Sequence, residues 1–179
     1  MPFIFATMSS RTLSLLLRTW LAIAAIDFIF ASCLSVFAYG STFSRLWQSV
    51  ASAALGPSAL QGGRATVLIG LLLHVCVAFT WSAVFLTLAK SVPTIQRIIA
   101  TPGGMLEIAA LYGPLIWLVM SLLVIPLASG RPPSITVRWW IQLFAHIPFV
   151  ALPIVIVVGR GLNAAPRRVL AAEITSVEV

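Results

Sequence analysis

The chain has 179 residues, of which 60% are hydrophobic and only 8% charged, with a mean hydropathy of +1.08. Soluble domains carry about 25% charged residues, so this composition excludes a water-soluble globular protein and makes the bilayer the solvent. The net charge of +7 comes from ten arginines and one lysine spread along the ends of apolar runs, which excludes a nucleic-acid patch and fits membrane flanks and anionic headgroups.

A helix needs about 20 mostly apolar residues to cross ~30 Å of hydrocarbon, and four stretches qualify. The first runs from Leu15 to Ala38. Arg11 and Arg18 precede its core, and Ala38-Tyr39-Gly40 resembles a signal-peptide cleavage site. The run exceeds the ~7–15 residues of a signal core, and Asp27 interrupts it; a retained helix is expected. The first loop contains a helix-forming segment from Ser44 to Leu55, stopped by Gly56-Pro57. It reads as a short interfacial helix with Trp47 at headgroup level. Gly62-Gly63 turns the chain into the second span, Thr66 to Ala89.

Pro93, Pro102 and Gly103-Gly104 mark the second loop, and Ile108 to Ala128 forms the third span. Arg131-Pro132-Pro133 marks a short third loop. The fourth span is Trp139 to Gly159, with Trp139 and Trp140 as expected interfacial anchors. Residues 1–160 make one transmembrane domain, and residues 161–179 a polar tail expected to be poorly ordered. Continuous apolar runs exclude an alternating β-barrel. Cys33 and Cys76 lie within spans without metal or redox spacing and are expected to be buried, inert thiols.

With four spans, both termini share a side with the second loop. That side carries seven basic residues (Arg11, Arg18, Lys90, Arg97, Arg160, Arg167 and Arg168). The other carries four: Arg45, Arg64, Arg131 and Arg138. The positive-inside rule places both termini in the cytoplasm.

Small and polar residues at four-residue spacing mark packed faces in lipid. The first span offers Ala24, Asp27, Ala31 and Ser35. The second offers Gly70, His74, Ala78 and Ser82. The third offers Ala109, Gly113, Trp117 and Ser121, with Tyr112 and Met120 alongside; the fourth offers Gln142, His146 and Pro153. These stripes predict an all-α, integral membrane four-helix bundle. At ~1.5 Å per residue, Asp27, His74, Met120 and His146 lie about 10–16 Å from the same end of the bundle. The intramembrane polar cluster is therefore Asp27, His74, Gln142 and His146.

Ionisable groups at membrane depth are costly and commonly functional, and four readings of the cluster stay open. His74 and His146 can ligate a haem b, with Met120 a further candidate cofactor-binding residue. Asp27 and the histidines can form a proton or ion relay in a small transporter or channel. Two imidazoles and a carboxylate also suit a transition metal. Finally, the polar groups can simply pin helix register, with Gln142 bonded to His146. No nucleophile-elbow or metalloprotease motif is present, so no catalytic residue is assigned.

The spacing carries a family resemblance. Its elements are Asp27 with Ala31, Gln48-Ser49-Val50-Ala51-Ser52, Leu55-Gly56, Gln61-Gly62-Gly63, and Gly70 with His74. It continues through Tyr112-Gly113, Met120, Ile125-Pro126-Leu127, His146 and Leu152-Pro153-Ile154. On these residues, from about 24 to 156, the chain resembles an uncharacterised family of four-span bacterial inner-membrane proteins, distantly YagU-like. The resemblance implies four helices and an inner-membrane location, and brings no activity. Where the family tends to carry a Tyr-Tyr pair, this chain has Val84-Phe85, so no role can rest on those hydroxyls. The combined expectation is a non-enzymatic inner-membrane protein, a small structural or accessory subunit in contact with the lipid bilayer. A homo-oligomer or larger membrane complex is its expected setting.

Overall fold

The computed structural model describes residues 9–177, with side-chain surroundings for residues 9–164. Four helices are long and apolar enough to cross a membrane: Ser10–Ala38, Gly63–Ser91, Pro102–Ser129 and Val137–Ala164. They are called here the first to fourth spans. No strand occurs among the described residues.

Each span is longer than the apolar run that announces it, and in the first and third a polar cap starts the helix ahead of that run. The Ser9 hydroxyl accepts from the Thr12 amide and starts the first span. Thr101 accepts from the Gly104 amide, with Pro102 in the first helical position of the third. Gly130, at φ 66°, ends the third span in the left-handed conformation that favours glycine. The fourth span does not stop at Gly159; its final helical segment is Leu152–Val177, where a poorly ordered tail was expected.

Contacts between the ends set an up-down topology. The Lys90 ammonium donates to the Thr12 hydroxyl, and the Asn163 amide donates to the Ile99 carbonyl. These bonds join the start of the first span, the second loop and the end of the fourth span; this is the terminal end of the bundle. At the opposite, distal end, Arg131 reaches the Ser52 carbonyl and Arg138 lies over the Tyr39 ring.

The core follows the small-residue stripes. Leu16, Thr19 and Ile23 face inward on the first span; Gly70, Ala78, Ser82, Phe85 and Ala89 do so on the second. Ala109, Tyr112, Gly113 and Ile116 meet Val150, Ala151, Ile154, Val155 and Val158. Several hydroxyls inside the spans bond back to their own helix, as Thr19 does to Leu15 and Ser82 to Ala78, which satisfies them without a second helix. Between helices, Trp20 donates to the Val75 carbonyl and Tyr112 to the Trp81 carbonyl. The outward surface carries Leu21, Ile29, Leu68, Leu72, Leu111 and Phe144, all exposed, as the lipid-facing side of a membrane bundle must be.

The short helix in the first loop is Phe43–Leu55. It lies closer to the bundle than expected. A Cβ placed on Gly70 would sit 1.9 Å from the Trp47 carbonyl oxygen, so the loop helix crosses the second span in backbone contact, about 10 Å along it. Trp47 is consequently packed against protein and is not an open anchor. It is 1% exposed, stacked on Phe28 at 5.3 Å between ring centroids. Trp139 is also corrected: it is buried, and its indole donates to the Ser121 hydroxyl. Trp140 stays exposed, as an interfacial anchor requires. Cys33 and Cys76 are exposed rather than buried, because both point away from the inward stripes.

Prolines reshape the last two spans. Pro126 has no N–H for the Leu122 carbonyl, and Pro153 none for that of Phe149. The helix widens to π-helical turns at Met120–Val124 and Ile147–Ala151, the usual way a helix absorbs such a defect.

Candidate functional site

Asp27, His74, Met120 and His146 line one cavity of about 130 Å³ inside the bundle, so the four residues placed at one depth by sequence do meet. Counted from the distal ends of the observed spans, each lies roughly 14–16 Å in. The spans of 28–29 residues run about 42 Å, so the four residues lie in the distal half of the bundle.

Backbone approach places His146. A Cβ on Gly113 would lie 2.8 Å from the His146 carbonyl carbon and oxygen and from the Ile147 nitrogen. Only glycine lets the third and fourth spans touch there. One π-helical turn starts at the contact itself, at Ile147, and the other starts two helical turns past Gly113, at Met120; Met120 and Val150 from these turns line the cavity.

Hydrogen bonds fix the protons of both rings. His74 Nε2–H donates to the Ala24 carbonyl at 3.2 Å, while its Nδ1 faces Asp27 Oδ2 at 3.6 Å. With Nε2 protonated, a neutral ring turns a lone pair towards the carboxylate. One proton between Nδ1 and Asp27 relieves that opposition, on either partner. His146 Nδ1–H donates to the Gln142 carbonyl at 2.6 Å, leaving Nε2 as its remaining acceptor. Gln142 thus contributes its backbone and not its amide, and its side chain lines a separate cavity nearer the distal end. No arginine or lysine lines the inner cavity. The cluster offers a carboxylate and two imidazole acceptors with no fixed cation to balance them.

Three tryptophans stand at the cluster, two of them on the cavity wall, and the sequence stripe identified only Trp117. Trp81 and Trp117 line the cavity, and Trp47 packs its ring 5.1 Å from that of His74. Trp117 packs 4.9 Å from His146. Its indole nitrogen is buried without a partner, as is that of Trp47.

The surroundings differ at the two ends. Distally, Trp117 and Ile125 also line a larger cavity of about 470 Å³ bounded by Arg131 and Arg138. Towards the terminal end, Ile23, Phe85, Ile154, Val155 and Val158 pack with 1% exposure or less, and a cavity of about 580 Å³ beyond them, with Arg160 and Asn163 on its wall, shares no residue with the inner one.

The inner cavity suits waters rather than a large cofactor. About 130 Å³ accommodates several waters, whereas pockets for larger organic ligands run to ~300–1,000 Å³. His74 Nε2–H is already given to the Ala24 carbonyl. In this packing His74, His146 and Met120 do not fit a haem b. Among the described residues, no three His, Cys, Asp or Glu side chains gather at metal-binding spacing.

No family model matches the chain, and neither a curated protein nor a solved structure matches it.

Proposed function

We propose that this membrane protein is a small transporter or channel component that takes up protons at Asp27, His74 and His146. The observation that carries this reading is the Asp27–His74 pair. A carboxylate and an imidazole lone pair oppose each other at 3.6 Å beside a water-sized cavity within the spans, an arrangement that calls for one exchangeable proton. The walls that the distal cavity shares with the inner one, and the tightly packed layer on the other side, support access from the distal side. The excess of basic residues at the terminal end supports cytoplasmic termini, and so uptake from the outer face of a bacterial inner membrane. The motif spacing from Asp27 to Leu152-Pro153-Ile154 supports kinship with the YagU-like proteins.

Reconstitution into liposomes holding a pH-sensitive dye tests the reading. A potassium diffusion potential should drive proton entry through the wild type. Asp27→Asn should reduce it about tenfold or more, and His74→Gln should do likewise. Equal fluxes in wild type and Asp27→Asn would remove proton uptake through this cluster. The remaining reading would be a structural or accessory subunit, supported by the bonds from His74 to Ala24 and His146 to Gln142.

A further inference from the structure

The distal cavity is built differently from the inner one. Its walls are the distal ends of the third and fourth spans and the loop between them, and it measures about 470 Å³, within the range of small-molecule sites. Two arginines line it, and neither faces a carboxylate: the one acid–base pair among the described residues is Asp27 with His74. Each guanidinium is nevertheless held in place. Arg131 Nη2 donates to the Ser52 carbonyl and hydroxyl, both at 3.4 Å. The Arg138 guanidinium carbon lies 4.3 Å from the centre of the Tyr39 ring, a cation–π contact. These contacts use few of the five N–H donors on each guanidinium. The Ser134 and Thr136 hydroxyls add donors on the same wall. Thr136 makes no side-chain cap, so the first amides of the fourth span stay open beside Arg138.

Two oriented cations without counter-ions, several hydroxyls and a concave wall make a receptor for an oxyanion. We infer that this vestibule binds a phosphate or carboxylate group, carried by an anionic lipid headgroup or by a small soluble anion. The inference does not rest on proton uptake at Asp27; the two sites share only the wall formed by Trp117 and Ile125.

Calorimetry on the full chain tests it, using nanodiscs of phosphatidylcholine titrated with inorganic phosphate and with succinate. A parallel preparation in nanodiscs containing phosphatidylglycerol is analysed by native mass spectrometry for retained anionic lipid. Saturable heat with phosphate or succinate assigns a soluble anion. Retained phosphatidylglycerol without such heat assigns a headgroup. In either case, Arg131→Gln with Arg138→Gln should weaken binding about tenfold or strip the lipid, and Asp27→Asn should change neither. If the double variant does not assemble, Arg131→Gln alone carries the test, since it keeps the Arg138–Tyr39 contact. Neither heat nor retained lipid in the wild type overturns the inference. So does a correctly assembled variant that binds as the wild type does.

Discussion

Trp47 separates what its ring does from what its polar atom does. The ring is buried between Phe28 and His74, but the indole nitrogen has no partner. Trp47→Phe should therefore change stability by less than about 1 kcal/mol, while Trp47→Ala should cost about 3–5 kcal/mol. Unfolding midpoints in mixed detergent compare the two. A Phe variant as damaged as the Ala variant would mean that the indole N–H is bonded after all. At this scale the sequence was legible wherever a polar residue had to face inward. Asp27, His74 and His146 could not face lipid cheaply, so their stripes located the cavity. Tryptophans were less legible. Near a span's end a tryptophan reads as an anchor, yet Trp47 and Trp139 are buried by partners far away in sequence. Gln142 misled for another reason: His146 uses its carbonyl, which every residue possesses.

Helix contact depends on where glycine removes a side chain. At Gly70 an added methyl would strike the Trp47 carbonyl, whereas at Gly103 it would meet nothing within 4 Å. Gly70→Ala should cost about 1–3 kcal/mol by lifting the loop helix, and Gly103→Ala should be neutral or gain a few tenths through helix propensity. Thermal unfolding of the two variants checks the contrast, and equal effects would show that the loop helix is not seated on Gly70. Gly113→Ala belongs to the same class but strikes the backbone of His146 and Ile147. It should lower proton flux as well as stability, by displacing His146 from the cavity. The small-residue stripe foretold a close approach at Gly70 but not the partner. Spacing along one helix describes a face; what covers that face depends on the path of a loop. The π-helical turns lie just ahead of Pro126 and Pro153, whose missing N–H is plain in the sequence, but the form the helix takes there is not.

The inner cavity shares its walls with the distal cavity and is divided from the terminal end by a tightly packed layer, and the orientation of the molecule decides which side each end serves. Thr94 and Ser58 lie exposed at opposite ends. In a background with Cys33→Ser and Cys76→Ser, a membrane-impermeant maleimide applied to spheroplasts should label Ser58→Cys at once. Thr94→Cys should label only after permeabilisation. The reverse pattern would invert the positive-inside assignment and with it the direction of uptake. Class, span number and the meeting of four distant residues were readable, because lipid permits few solutions for an apolar chain with buried charge. The arginine-bounded vestibule was not, since it exists only when the third loop folds over both helix ends.

The pairing of each histidine with a tryptophan has one more consequence. Indole emission responds to a positive charge placed against its face, and His74 and His146 sit about 5 Å from Trp47 and Trp117 respectively. The chain therefore contains two native fluorophores beside the groups expected to change charge. Time-resolved emission during a pH jump can watch the membrane's interior with no label attached, and removing one tryptophan at a time tells which imidazole gains its proton first.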